Sequence, residues 1–239
     1  MIHSLKRFLP HEFRQRLKRS LFVHQDMTSR MANLRRAGFS PTGAIDGGSY
    51  QGDWARIFWS VWPGCPVALV EPLSSQQPML QALADGTPGA FVVPKALGRE
   101  RGEVAFRLEQ TNSAIVSGSD GLDVGTTTVP LTTIDDLLAE SPAFTPNFLK
   151  LDLQGGELDA LAGATRHLKQ FEIILLEVSV LRIGDVPIFA DVERDLGARG
   201  YRVYDVLPQY YRPRDGALWQ MDVFYVRNDS ALVASRSWD

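Results

Sequence analysis

Apolar positions recur with two different periods along this chain. Leu5, Leu9, Phe13, Leu17 and Leu21 repeat every four residues with basic side chains on the other face, the pattern of an amphipathic helix. Pro10 suits the first turn of such a helix, where a missing N–H costs little. Met27, Met31 and Leu34 form a second helical stripe over residues 24–37, closed by Gly38. From Thr42 the pattern changes to short continuous apolar runs separated by helical stripes. The runs at 67–71, 91–94, 148–152 and 173–180 predict buried strands. Helices are predicted between them: from Trp54, Ile57, Phe58 and Val61, stopped by Pro63-Gly64; over 74–83; after Thr133 as cap; from Leu158, Leu161 and Leu168 behind Gly155-Gly156; and over 188–199, ending at Gly200. Residues 103–108 alternate partially, as a further strand would. Residues 111–126, rich in Ser, Gly, Thr and Asp, predict a loop of functional length. The runs at 201–206 and 221–227 predict two closing strands, joined by an aromatic and basic loop without a helix. Strand–helix alternation of this kind predicts an α/β fold: a largely parallel sheet covered on both faces, with the closing pair as an antiparallel edge.

Composition narrows the class. The 239 residues are 44% hydrophobic and 22% charged, enough for one ordinary domain with a full core. No apolar run reaches the roughly 18 residues of a membrane helix, and no secretory signal peptide is visible, so a reducing, cytoplasmic setting is expected. The single cysteine, Cys65, excludes an intramolecular disulfide, and its place between Gly64 and Pro66 argues against a nucleophile. His3, His11, His24 and His167 have no metal-ligand spacing; His167 reads as a solvated residue on a polar helix face.

Charge divides the chain. Residues 1–36 hold nine Lys or Arg and two acids, net +7, which leaves −10 for the rest because the whole carries −3. The expected organisation is a basic helical N-terminal arm over 1–38 and a domain over 39–239. The arm's apolar stripe is best read as packing on the domain or covering its cleft. Peripheral contact with an anionic membrane is the other use of such a helix. Nucleic acid is not expected as a partner, since the arm has no pattern of stacking aromatics and the body is acidic.

The candidate chemistry starts at Ala44-Ile45-Asp46-Gly47-Gly48-Ser49-Tyr50-Gln51-Gly52. An apolar run enters it and a helical stripe leaves it, which outlines a strand, a tight turn and a helix start. Glycines there admit a ligand close to the backbone, and free amides at the helix start would favour its polar groups. Glycines at 47, 48 and 52 do not fit the Gly-x-Gly-x-x-Gly of dinucleotide folds, which disfavours a nucleotide-dependent oxidoreductase. The Asp46-x-Gly48-x-x-x-Gly52 spacing fits the first loop of S-adenosylmethionine-dependent methyltransferases better. Glu71 closes the next strand, 25 residues on, where an acid can bond ribose hydroxyls.

Three blocks resemble the FkbM family of S-adenosylmethionine-dependent methyltransferases. Asp46 to Gly52 is similar to the family's Asp-Val-Gly-Ala-Asn-x-Gly loop. Val70-Glu71-Pro72 is similar to its second-strand ending, with Pro94-Lys95-Ala96-Leu97-Gly98 at the expected interval. Lys150-Leu151-Asp152-Leu153-Gln154-Gly155-Gly156-Glu157 resembles its most distinctive motif, Lys-x-Asp-x-Glu/Gln-Gly-x-Glu. Residues 175–178 and 211–216 resemble the branch with Gln in that motif. Tyr50 stands where the family usually has Asn, a departure that a noncatalytic scaffold of the same fold would also explain.

The resemblance implies a class I methyltransferase fold, Rossmann-like, with a mostly parallel seven-stranded sheet and an antiparallel edge beside the N-terminal helical arm. It also implies methylation of a hydroxyl on a sugar-containing acceptor: a glycan, lipopolysaccharide or secondary metabolite. Asp46, Gly48, Ser49, Gly52, Glu71, Pro72 and Ala96 are the expected S-adenosylmethionine contacts, Ala96 by family position alone. Asp152 is placed as base, as a binder of the acceptor hydroxyl or as a cofactor ligand, with capping of the following helix as its structural alternative. Glu157 shares the cleft or supports the helix N-terminus. Glu177, an acid in an apolar strand, is a second candidate base whose pKa burial would raise. Asp135 reads as the cap of its own helix. No metal is expected, although Asp152, Glu157 and Glu177 carry the oxygen ligands that Mg²⁺ prefers.

Overall fold

The computed structural model describes residues 26–107, 114–115, 126–184, 186–235 and 237. The helix expected around Leu5 to Leu21 and most of the expected 111–126 loop lie outside the described residues. In chain order the strands are β1 (Ala44–Gly47), β2 (Val67–Val70), β3 (Phe91–Val93), β4 (Ala96–Leu97), β5 (Gly102–Arg107), β6 (Ala114–Ile115), β7 (Thr126–Thr132), β8 (Phe148–Leu151), β9 (Ile173–Ser179), β10 (Tyr201–Tyr211) and β11 (Leu218–Arg227). The helices are α1 (Met27–Arg36), α2 (Asp53–Val61), α3 (Gln77–Asp85), α4 (Ile134–Glu140), α5 (Glu157–Ala162) and α6 (Phe189–Ala198).

Seven strands make the main sheet, in the order β10-β11-β9-β8-β1-β2-β3. All neighbours pair in parallel except β11, which runs antiparallel to both β9 and β10. The order reverses at β1, and ligands of open α/β sheets lie at such a point, outside the carboxyl ends of the strands. The apolar runs are continuous because both faces are covered. On one face Ala44, Val67, Leu69, Phe148, Leu175 and Phe224 pack against Met31 and Leu34 of α1, Phe58 of α2 and Leu80 of α3. On the other, Ile45, Leu149, Leu151, Ile174, Leu176 and Val223 pack against Leu137 of α4, Leu161 of α5 and Leu196 of α6. Residues one apart along a strand thus belong to different cores, as the two-residue period requires. Met31 and Leu34 are fully buried, so the second helical stripe of the sequence packs on the domain.

Five expectations change. The strand at 103–108 leaves the main sheet and joins β4, β6 and β7 in a second sheet, ordered β4-β7-β5-β6. Residues 114–115, inside the expected loop, pair with β5. The closing strands are longer than expected: Tyr201–Tyr211 faces Leu218–Arg227, so Tyr210 and Tyr211 belong to a strand and not to the loop. Asp135 does not cap α4, since Thr133 does, accepting from the Asp136 amide. Asp135 is buried and accepts hydrogen bonds from the amides of Arg166 and His167 and from Thr165 Oγ1, and His167 Nδ1 lies 2.8 Å away. His167 is therefore not simply solvated; it is part of a clamp that ties α4 to the turn behind α5. Burial opposes the charge of Asp135, but these bonds hold its pKa below the usual value.

Candidate active site

Register alone assembles the polar centre. Asp46 and Lys150 are direct partners across β1 and β8, so both side chains leave the same face of the sheet. Two residues further out, Glu177 of β9 sits directly opposite Asp222 of β11. Like charges facing each other across a strand pair destabilise it, and here the pair lies at the end of the sheet where the switch point opens. Lys150 is 6% exposed and Asp46 wholly buried. Lys150 Nζ lies 3.0 Å from Asp46 Oδ1 and 3.8 Å from Asp152 Oδ2, and donates to the carbonyls of Gly48 (2.9 Å) and Gly47 (3.2 Å). Burial works to lower the Lys150 pKa, but Asp46, Asp152 and Asp222 together hold it above its usual value. A buried ammonium thus fastens the glycine loop to the loop after β8.

That loop is drawn tightly together. Gly48 has φ +74°, and a Cβ there would stand 2.0 Å from the Asp152 carbonyl oxygen, so only glycine fits. Tyr50 is also left-handed, at φ 44°, and so is Gln154, at φ 54°; strained residues of this kind collect at functional sites. The turn at Tyr50 aims its amide at Glu71 Oε2, 2.8 Å away, while the Leu73 amide donates to Glu71 Oε1 at 2.9 Å. Gly48 and Ser49 donate to the Val70 carbonyl and Gly52 to the Ser49 carbonyl. The amides of 48, 49, 50 and 52, expected to be free for a ligand, are therefore already used, because the chain reverses within hydrogen-bond reach of β2.

One cavity of about 630 Å³ opens above the carboxyl ends of the strands, within the range of small-molecule sites. Gly48, Ser49, Tyr50, Glu71, Pro72, Leu73, Ala96 and Leu97 line one half. Glu71 is 4% exposed, and burial raises its pKa against the two amide bonds. Each of its oxygens keeps a lone pair for a ligand hydroxyl. The other half is lined by Lys150, Asp152, Gln154, Glu177, Gln220 and Asp222. Gln154 Nε2 bridges Asp152 Oδ1 (2.8 Å) and Glu177 Oε2 (2.9 Å), and Gln220 Nε2 also donates to Glu177 Oε2 (3.1 Å). Burial, with Asp152 and Asp222 adding to it, pushes Glu177 up to about 8. Burial pushes Asp222 up to about 6, with the Gln209 amide opposing and Asp152 assisting. Carboxyls perturbed by burial and like charge in a cleft are candidates for proton transfer.

Of the residues expected from the sequence, Gly48, Ser49, Glu71, Pro72, Ala96, Asp152 and Glu177 meet in this cavity. Asp46 lies behind the glycine loop as the partner of Lys150. Gly52 lies behind it too, and a Cβ there would meet Leu83 of α3 at 2.4 Å. Asp152 does not cap α5, whose cap is Gly156. Glu157 lines a smaller cavity of about 100 Å³ instead, beyond Gln154 and Glu177. There it accepts from the amides of Leu153 (2.7 Å) and Gly155 (3.1 Å), and burial pushes it up to about 7. Among the described residues no group of three or more His, Cys, Asp or Glu is arranged to hold a metal ion. Sequence reasoning missed Lys150, Gln154, Gln220 and Asp222. The available signal was Gln220 and Asp222 alternating with apolar residues in the last strand.

Comparison with known proteins places this geometry. The model of the methyltransferase FkbM domain matches residues 46–203. Among solved structures, an FkbM methyltransferase from Methylobacillus flagellatus is similar at 17% identity and a TM-score of 0.51, over 76% of this chain and 43% of that one. The chain thus spans less than half the length of that relative. Two others are precorrin-6y C5,15-methyltransferase from Geobacter metallireducens, at 10% identity and a TM-score of 0.46 over 86% of this chain and 90% of that one, and fibrillarin from Aeropyrum pernix with natively bound S-adenosyl-L-methionine, at 13% and 0.45 over 82% and 73%. No curated protein matches the chain. The family match runs from Asp46 through Glu71, Lys150 and Glu177, the residues the sheet brings to one end, and it covers well over half of the sequence: the chain belongs to the FkbM family of S-adenosylmethionine-dependent methyltransferases.

Proposed function

We propose that this protein transfers a methyl group from S-adenosylmethionine to a hydroxyl of a sugar-containing acceptor, such as a glycan, lipopolysaccharide or secondary metabolite. The residues fit the cofactor. Glu71 has lone pairs for the ribose hydroxyls, Gly48 and Ser49 line the cavity beside it where the methionine part would lie, and Pro72, Leu73, Ala96 and Leu97 offer an apolar wall for the adenine. When bound, the cofactor supplies an electrophilic methyl group.

The observation that carries the acceptor reading is the wall of Asp152, Gln154, Glu177, Gln220 and Asp222 in the other half of the cavity. Carboxylates accept hydrogen bonds from hydroxyls, and primary amides both donate and accept, so this wall suits a polyol. Asp152, set by Lys150 and Gln154, orients the acceptor hydroxyl. The ionised form of Glu177 takes its proton: with its pKa raised to about 8, that carboxylate is intrinsically a stronger base than an ordinary glutamate's, and its share grows as pH rises toward 8. The hydroxyl oxygen gains the methyl and its proton ends on Glu177. Holding the hydroxyl in line supplies much of the remaining rate.

The test is transfer of labelled methyl to the acceptor, with cofactor binding measured separately. Asp152→Asn keeps shape and loses charge. Cofactor affinity should change less than tenfold while transfer slows about 10²-fold or more. Near-wild-type turnover would exclude an essential role for Asp152, whereas parallel losses of affinity and activity would make it a cofactor ligand. No helix among the described residues is long and apolar enough to cross a membrane. Contact of the basic N-terminal residues 1–36 with anionic lipid is a separate proposal, tested by salt-sensitive co-sedimentation of full-length and truncated protein with vesicles.

A further inference from the structure

Consecutive residues of a strand normally point to opposite faces, yet Gln209 and Tyr210 of β10 both line the main cavity. Pairing with β11 explains this. The register shifts between Pro208 and Tyr210 and again between Tyr210 and Tyr211, and bulges re-aim the side chains they carry. Gln209 is turned inward to donate to Asp222. Tyr210 is turned to the rim, where its ring stands 6.5 Å from that of Trp219, with planes 53° apart. Tyr210 is 55% exposed, so the bulge spends ladder regularity on a ring that the core does not use. Both aromatics lie beyond residue 203, where the family match ends.

The rim and the floor together specify a ligand. A pyranose has an apolar C–H face that stacks on aromatic rings, which are large apolar surfaces with a negative face. Its edge carries hydroxyls for carboxylates and amides. Charge narrows this further. Asp46, Asp152 and Asp222 gather around Lys150, whose ammonium is already shared by Asp46 and two carbonyls, and Glu177 faces Asp222 from the next strand. A phosphate or uronate at this end would face an excess of carboxylates. We propose that Tyr210 and Trp219 form a stacking subsite for an uncharged pyranose of the acceptor, and that the carboxylate floor beside it excludes anionic sugars. This rests on the sugar-acceptor reading above.

Saturation-transfer NMR on the full chain loaded with S-adenosylhomocysteine tests it. The probes are methyl α-glucopyranoside, methyl α-mannopyranoside and methyl α-galactopyranoside, with glucose 6-phosphate and methyl glucuronide as charged counterparts. At least one neutral probe should receive saturation on its C–H face. Tyr210→Ala should weaken it tenfold or more, and Tyr210→Phe should hold it within about twofold, since the ring and not the hydroxyl does the stacking. The charged probes should bind at least tenfold more weakly at low salt, the gap narrowing as salt is added. A neutral probe bound equally by wild type, Tyr210→Ala and Trp219→Ala overturns the subsite and leaves the sugar acceptor standing. Equal binding of charged and neutral probes overturns the exclusion. No binding of any neutral probe by the loaded wild type overturns the subsite as well. Labelled methyl transfer to a sugar-free acceptor would mark the separate failure of the sugar reading.

Discussion

Glu177→Gln should make the protein more stable at alkaline pH. Glu177 faces Asp222 directly across the strand pair, and its Oε2 accepts from Gln154 and Gln220. Burial and its neighbours raise its pKa from an ordinary 4.5 to about 8. Between those values the folded protein holds a proton on Glu177 that the unfolded chain has released. The native state then binds more protons, so stability falls as pH rises through this window. At about 1.4 kcal/mol per pH unit, the interval from 4.5 to about 8 bounds the loss near 5 kcal/mol; water entering the cavity screens part of it, which leaves about 2–4 kcal/mol. Glutamine keeps a carbonyl for both amide donors and carries no charge at any pH. Urea unfolding at pH 5 should therefore separate variant and wild type by under about 1 kcal/mol, and unfolding at pH 9 should favour the variant by about 2–4 kcal/mol. The same proton governs the reaction: kcat/KM of the wild type should rise through pH 8 with Glu177 as base, and through pH 6 if Asp222 were the base. Stability curves that run parallel from pH 5 to pH 9 would refute the burial argument, whatever the rate profile shows.

Two further outcomes follow from the same geometry. Lys150→Met leaves the buried Asp46 carboxylate without its counter-charge and should cost about 3–5 kcal/mol, partly recovered by adding Asp46→Asn; a loss below about 1 kcal/mol in urea would mean the ion pair does not hold the loop. Glu71→Gln puts an amide N–H toward one of the two backbone donors that Glu71 now satisfies, and it should weaken S-adenosylmethionine binding by about 1.5–3 kcal/mol. Unchanged calorimetric affinity in the folded variant would remove Glu71 from the cofactor site.

The parts of this protein whose physics is local follow from the order of its amino acids. Continuous apolar runs could be satisfied only by strands covered on both faces, and the helical stripes between them forced crossovers, so the α/β class and the parallel sheet were legible. The glycine loop and Glu71 were legible for the same reason: a tight strand-to-helix turn needs glycine, and an acid at a strand end stands out against its apolar run. The tertiary structure alone decided which charges meet. Asp46 and Lys150 are 104 residues apart and Glu177 and Asp222 are 45 apart, and only the register of β1 with β8 and of β9 with β11 makes them neighbours. Register likewise made Asp46 the partner of a buried lysine, while the folding of the two loops used the glycine-loop amides internally and set Glu157 in a second cavity. Bulges in β10, set by pairing with a later strand, brought Tyr210 and Gln209 to the same cavity. Periodicity fixes which face a residue takes within its own strand, and the pairing of strands distant in sequence fixes what stands beside it.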